Sequence, residues 1–159
     1  ILYAAWNRKE NNDGLEWLIN KVLPSVPKIK IKIIGPSLSD SIKQKITKFP
    51  NIEYLGFVEN PYIELMKSKV LLAPIFQGAG VKVKVLESLA TGTPVFGTEI
   101  SLEGINKELC IDAIKVFETH YDLIELLKNE NSNIDIVERN RLKFKFKAYY
   151  NNDKLINHL

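Results

Sequence analysis

Five residues whose types suit anion handling stand between positions 78 and 87: Gly78, Gly80, Lys82, Lys84 and Glu87. They fall in a stretch, 74–98, that reads as a strand end, a glycine-bearing loop, a helix, a sharp turn and a second strand. The first backbone N–H groups of a helix have no internal partner, and the macrodipole is positive there. Such a helix start is an anion site by construction. First turns normally favour acids, yet this one carries Lys82 and Lys84. A local rule broken in this way marks a functional site more often than a structural one. Gly78 and Gly80 permit dihedrals that other residues avoid and let backbone approach a ligand closely. Backbone N–H groups with lysines suit a diphosphate, and the carboxylate of Glu87, one turn on, can accept two hydrogen bonds from a sugar diol. The bland alternative is a surface ion pair between Lys84 and Glu87, three apart on a helix, with the glycines as mere turn residues.

Elements must hold these residues in place, and the chain supplies them in alternation. A strand over 1–5 runs into a polar loop, 6–13, and Asp13 is placed to cap a helix carrying Leu15, Leu18, Ile19, Val22 and Leu23. Pro24 and Pro27 end it. Ile29, Ile31, Ile33 and Ile34 form a second strand, broken at Gly35-Pro36. A helix from Ser39 or Asp40 to about Lys48 follows, then a strand over 52–58, a short helix over 61–66 and a nearly continuous apolar strand over 70–76. The central helix occupies 81–91, with Gly92 as a left-handed cap. Residues 94–98 form the fifth strand. Beyond it, 109–111 and 114–117 read as short strands, and Thr119 caps a helix through Leu123, Ile124 and Leu127. A polar break at 129–133 precedes a terminal segment, 134–159, read as helical although Lys143-Phe-Lys-Phe-Lys147 alternates like a strand.

Strands alternating with helices imply right-handed crossovers and an α/β fold, a Rossmann-like doubly wound parallel sheet covered on both faces. With the common order 3-2-1-4-5, the first and fourth strands flank the topological switch point, and ligands bind at their carboxyl ends. That places the loop at 6–13 and the loop at 75–81 on either side of one cleft. On the central helix Val81, Val83, Val85, Leu86, Leu89 and Ala90 make a broad apolar arc, while Lys84, Glu87 and Ser88 share a narrow polar face toward solvent or cleft. Lys82 lies in the arc but within the first turn, where it can reach over the loop.

Composition bounds the rest. At 159 residues, 45% hydrophobic and 26% charged, the chain suits one globular domain. Its net charge of +3 selects no partner. The single cysteine, Cys110, excludes an internal disulfide and fits a reducing, cytoplasmic setting. No apolar run approaches the roughly 20 residues of a membrane span, and no signal peptide is visible. The opening at Ile1, without an initiator methionine, predicts a piece of a longer protein. His120 and His158 are isolated, which argues against a metal site. Cys110 reads as a small core residue, and no nucleophilic triad can be assembled.

The segment Gly78-Ala-Gly-Val-Lys-Val-Lys-Val-Leu-Glu-Ser-Leu-Ala-Thr-Gly-Thr-Pro-Val95 resembles the donor-site signature of family 4 glycosyltransferases of the GT-B fold, in the subgroup with a Gly-Ala-Gly loop. The resemblance spans nearly the whole chain. Asn12-Asp-Gly-Leu-Glu-Trp17, Val22-Leu-Pro24, Ile33-Ile-Gly35, Tyr54-Leu-Gly-Phe-Val58 and Ser101-Leu-Glu-Gly-Ile105 match the family's landmarks in order. It implies one half of a GT-B fold, the carboxy-terminal domain that binds a nucleoside diphosphate sugar. An amino-terminal domain supplying most of the acceptor site would be absent from this stretch, and the piece alone would be inactive. The resemblance further implies transfer with retention, a UDP-sugar or GDP-sugar donor, no cofactor and no essential metal. By the same carry-over Glu87 binds the ribose hydroxyls, and Lys82 and Lys84 with the amides of Gly80 and Val81, beside Gly78, hold the diphosphate. The base lies near Gly56-Phe57-Val58, and Arg8 falls near a phosphate-binding arginine.

Two departures stand out. The family's paired glutamates lie eight positions apart, but the position eight before Glu87 is Ala79, so the glutamate that contacts the donor sugar in many members is missing. The usual lysine-glycine of the first loop is Asp13-Gly14. These keep open a non-catalytic nucleotide-binding or scaffolding domain of the same fold. A third reading rests on Arg139, Arg141, Lys143, Lys145 and Lys147 interleaved with Leu142, Phe144, Phe146 and Tyr149, a pattern that suits a nucleic-acid or anionic-membrane surface. A terminal helix that packs its aromatics and leaves its lysines in water explains the same pattern and is preferred. Nucleic acid is therefore not an expected partner, while peripheral membrane contact stays compatible.

Overall fold

The computed structural model describes residues 1–108, 110–129 and 136–150. Among the described residues six parallel strands and six α-helices occur, alternating as far as β5: β1 (Leu2–Tyr3), α1 (Lys9–Lys21), β2 (Ile31–Ile34), α2 (Asp40–Ile46), β3 (Ile52–Gly56), α3 (Pro61–Lys67), β4 (Leu71–Ala73), α4 (Val83–Ala90), β5 (Val95–Gly97), β6 (Ile114–Val116), α5 (His120–Asn129) and α6 (Ile136–Tyr150). Two three-stranded ladders run β1-β2-β3 and β4-β5-β6. Between them the amide of Leu72 donates to the Ile1 carbonyl at 2.8 Å, and the Ile1 nitrogen donates to the Val70 carbonyl at 2.8 Å. That is the slanted pattern of a parallel pair, so β1 and β4 adjoin and the full order is 3-2-1-4-5-6, as the sequence predicts for its first five strands.

Alternation along the strands assigns the two faces. Ile31 and Ile33 of β2, Leu72 of β4 and Phe96 of β5 join Leu15, Leu18, Ile42 and Leu123, beneath α1, α2 and α5. Ile34, Leu71, Ala73 and Val95 join Leu65, Val85, Leu89 and Leu142, beneath α3, α4 and α6. A sheet buried on both sides needs apolar residues at consecutive positions, which is why β4 and β5 are buried throughout.

Several boundaries differ from the sequence expectation. Helix α1 starts at Lys9 with Arg8 as its cap residue, so Asp13 lies inside it. Its first turn is polar and faces no core, which hides it from a search for apolar periodicity; the Asn11 side chain secures that turn by donating to the Ala5 carbonyl at 2.9 Å. The strands are shorter than their apolar runs, β1 keeping two residues and β4 three. Residues 110–111 are in turns rather than a strand, because Cys110 and Ala113 spend their amides locally, on the Asn106 and Cys110 carbonyls. Gly92 (φ +73°) caps α4 as expected, and Thr119 caps α5 by accepting from the Asp122 amide at 3.2 Å. Residue 109 and most of the break at 129–133 lie outside the described residues, as does the tail beyond 150.

In α6 the alternating lysine-aromatic run is helical, and three cations of the helix are engaged. Arg139 donates to Thr93 Oγ1 at 3.0 Å and to the Ser68 carbonyl; Arg141 and Lys145 pair with Asp112. Leu142 is buried and Phe146 packs on the core. The packing reading of this segment is met at Leu142 and Phe146 and not at Phe144, whose ring is 76% exposed. Among the described residues no helix is long and apolar enough to cross a membrane.

Candidate functional site

The carboxyl ends of β1 and β4 open onto a hollow of about 390 Å³. Its walls come from the end of β1 and the turn after it (Tyr3, Ala4, Arg8), the first turn of α1 (Glu10, Asn11), the loop after β4 (Gln77, Gly78, Ala79, Val81, Lys82) and the first two turns of α4 (Val83, Lys84, Glu87). This is the switch-point crevice.

Helix α1 builds the cleft by setting the loop. Gly14 is packed so tightly on the end of β4 that an added Cβ would stand 1.9 Å from the Pro74 carbonyl oxygen. No residue but glycine allows that approach. One position earlier, Asp13 accepts from Gln77 Nε2 at 2.7 Å and from Lys9 Nζ. One turn later, the Trp17 ring meets Phe76 edge-on with centroids 4.9 Å apart and stacks on Phe117. The stretch 13–17 thus clamps residues 74–77 from one side. From the other, Thr98 Oγ1 donates to the Ile75 carbonyl, and Gly104 leaves room for Val81.

Gly78 (φ +100°) and Gly80 (φ +81°) supply the turn into α4. Nothing lies within 4 Å of a Cβ built on either, so their need is conformational and the space above them is open. Lys82 is the cap residue of α4, and the helix proper starts at Val83, two positions later than expected. The Lys82 side chain folds back over the loop, donating to the Gly78 carbonyl at 3.4 Å and to the Gly80 carbonyl, and stands 3.5 Å from Glu103. Lys84 donates to Asn11 Oδ1 at 2.6 Å. Burial, with smaller contributions from Lys82 and Arg8, lowers its pKa to about 8 against an opposing pull from Glu10. Its charge is therefore held at a cost that a bound anion would relieve.

Glu87 accepts from Tyr62 Oη at 3.1 Å, and Tyr3, whose pKa is raised by burial and then by the Glu87 charge, lines the same hollow. No ion pair joins it to Lys84; the helix sends the two into different parts of the cleft wall. Ser88, expected on the same polar face, is fully buried and donates to the Thr93 carbonyl at 2.9 Å, a closure of the helix end rather than a cleft contact. Arg8 sits on the rim, 3.8 Å from Glu10. Gly80 and Val58 stand apart from the lining: the Gly80 carbonyl receives Lys82, and Val58 packs on the core beyond β3, with the neighbouring Phe57 ring 75% exposed. Ala79 lines the cleft, placing a methyl group where the resembled family carries a carboxylate.

Sequence reasoning did not find Tyr3, Tyr62, Asn11, Glu10 or Glu103. Tyr3 sits in an apolar strand run and Tyr62 on a short helix, where both read as core residues; only packing of α3 beside α4 brings a phenol to Glu87. Asn11 carries the one legible signal, a polar residue in the first loop of a switch-point fold.

A sequence profile described as "Glycosyl transferases group 1" matches residues 1–129. A 44.6 kDa protein of the cps region of Klebsiella pneumoniae, itself uncharacterised, is 30% identical over 106 residues, covering 59% of this chain and 27% of that protein. Among solved structures, WaaG, a glycosyltransferase involved in lipopolysaccharide biosynthesis, superposes with a TM-score of 0.67 at 16% identity, over 97% of this chain and 43% of its own. TarM gives a TM-score of 0.63 at 17% identity, over 92% and 29%. The pneumococcal O-GlcNAc transferase GtfA, solved with UDP and GlcNAc, gives 0.61 at 12% identity, over 99% and 35%. The chain thus spans less than half the length of each of these proteins, and the structural likenesses speak for the fold.

Proposed function

This chain belongs to the glycosyl transferases group 1 family, and from that premise we propose that it is the donor-binding, carboxy-terminal half of an enzyme that moves a sugar from a nucleoside diphosphate sugar to an acceptor. One observation carries the reading: the glycine loop, the start of α4, Lys82, Lys84 and Glu87 converge on a single crevice at the switch point. The UDP bound to the GtfA relative is in keeping with it.

In this reading Lys82, Lys84 and the amides opening α4 bind the diphosphate, Arg8 approaches it from the rim, and Glu87 accepts the two ribose hydroxyls. The base lies along the edge at Phe57 and Val58. During transfer the bond from the anomeric carbon to the donor diphosphate breaks, and negative charge grows on the departing oxygen. The contribution of these residues is electrostatic: fixed cations and N–H dipoles, already oriented, stabilise that charge. Acceptor binding and the remaining sugar contacts belong to an amino-terminal domain, and transfer proceeds with retention. UDP or GDP is the expected nucleotide.

Calorimetric titration of UDP and GDP into parent and Glu87→Ala chains tests the reading. Loss of the ribose bonds weakens binding by about 1–3 kcal/mol; equal affinities would remove Glu87 from that role. Ala79 favours one competing reading, a nucleotide-binding domain without transfer activity, because the cleft offers only a methyl group at that point of its wall. Donor hydrolysis by the longer protein, measured directly, separates the two.

A further inference from the structure

One phenol that is not in the cleft lining reaches a cleft residue and has no part in the donor contacts just assigned. Tyr62 stands on α3, is 44% exposed and belongs to neither core cluster, yet its hydroxyl donates to Glu87 Oε1 at 3.1 Å. Glu87 therefore projects from α4 onto a donor held by a different element.

We propose that Tyr62 is a positioning residue for the ribose, its hydroxyl holding the Glu87 carboxylate in the orientation that accepts both hydroxyls of the nucleotide's diol. The proposal rests on the donor-binding reading above. The terminal torsion of a glutamate is broad and roughly two-fold, so an unheld carboxylate sweeps through many orientations. A carboxylate offers about four acceptor sites. The Tyr62 phenol occupies one of them and leaves others for a diol, which would otherwise have to stop the carboxylate's motion on binding.

The Tyr62 phenol is kept as a donor, because the hydrogen bond to Glu87 raises its pKa and it stays protonated through neutral and mildly alkaline conditions. A site whose acceptors are fixed also distinguishes ribose from 2′-deoxyribose, because an acceptor left without its hydroxyl cannot turn elsewhere.

The test compares UDP with 2′-deoxy-UDP, GDP with 2′-deoxy-GDP, and inorganic pyrophosphate, by calorimetry on the parent and Tyr62→Phe chains. The parent prefers the ribonucleotide by about tenfold or more. In Tyr62→Phe that preference falls by about three- to tenfold while pyrophosphate affinity is unchanged. A parent without preference for the ribonucleotides overturns the ribose reading of Glu87 and this proposal together. A parent that discriminates, with a variant that discriminates equally, overturns the positioning role alone. Loss of pyrophosphate and nucleotide binding in equal proportion makes Tyr62 a structural support and overturns it too. A shared melting temperature for the two chains confirms that intact folds are compared.

Discussion

At the carboxyl edge of the sheet, Lys82 and Lys84 overhang a hollow of about 390 Å³; at the amino edge, Lys28, Lys30, Lys32, Lys67 and Lys69 line one of about 550 Å³. The second region has more cations and more room. Its lysines nevertheless follow ordinary rules. Lys67 ends α3, where the dipole favours a cation. Lys32 and Lys67 share Glu64, at 2.7 and 3.1 Å, and hold its carboxyl below the usual range. Lys28, Lys30 and Lys69 are exposed. At the carboxyl edge the lysines oppose a helix dipole, are drawn against backbone carbonyls and Asn11, and share a cleft with glycine backbone and a carboxylate held by Tyr62. Charge is common to both ends. Convergent, desolvated and oriented groups are found at one.

The largest expected break in that contrast comes from Lys82→Ala with Lys84→Ala, which removes two charge-assisted contacts and weakens UDP and GDP by about 3–6 kcal/mol. Nucleoside without phosphate should lose far less in the same titrations, and an equal loss for both would take the diphosphate away from these lysines.

Next in size is Gly14→Ala, where the new methyl meets the Pro74 carbonyl and α1 must retreat from the loop it clamps. Chemical denaturation should show a loss of about 2–3 kcal/mol, with nucleotide affinity falling alongside. Gly78→Ala is the companion control, because it meets open space and costs only the strain of its positive φ, about 1–2 kcal/mol. If Gly78→Ala proves the more damaging to stability, the clamp is misread.

A smaller effect follows from Lys84. Burial lowers its pKa to about 8, so the folded state binds that proton less firmly than the unfolded chain. Stability of the empty chain should therefore rise as pH climbs from about 8 toward the ordinary lysine value near 10.4. Diphosphate binding works the other way. It favours the charged form, so affinity falls as pH rises through about 8, and binding near that pH takes up a proton. Calorimetry in buffers of different ionisation enthalpy measures that uptake, and none at pH 8 would contradict the placement of Lys84 against phosphate.

The smallest effect is expected at the amino edge. Lys28→Ala, Lys30→Ala and Lys69→Ala together should change stability by no more than about 0.5 kcal/mol. UDP and GDP titrations should match the parent within about twofold, a limit set by long-range screening. A larger drop would mean that bulk charge, not the geometry of the cleft, governs nucleotide binding.

Much of this contrast was legible before any coordinates. The alternation of apolar runs gave the parallel sheet and its switch point, because strands buried on both faces must be apolar along their length. The opposition of Lys82 and Lys84 to the helix dipole pointed to the cleft by local physics alone. What could not be read was anything set between elements distant in sequence. Asp13 looked like a helix cap and is a tie to Gln77; Gly14 looked like a departure from a motif and is the contact surface for Pro74. Ser88 shared a helix face with Lys84 and Glu87, yet a helix wheel cannot show that Thr93 turns back to cover it.

The sequence by itself determined the fold class and singled out the loop at the switch point, because both rest on periodicity and spacing within a few turns of chain, while its likeness to a known signature pointed to the family. Only the tertiary structure decided how the site is held: a carboxylate against a phenol from α3, a lysine against an asparagine 73 residues away. The physical reason is that spacing along a helix or strand fixes directions within an element. Packing of the sheet's two faces fixes which elements meet, and at Glu87 and Lys84 that meeting sets orientation and charge.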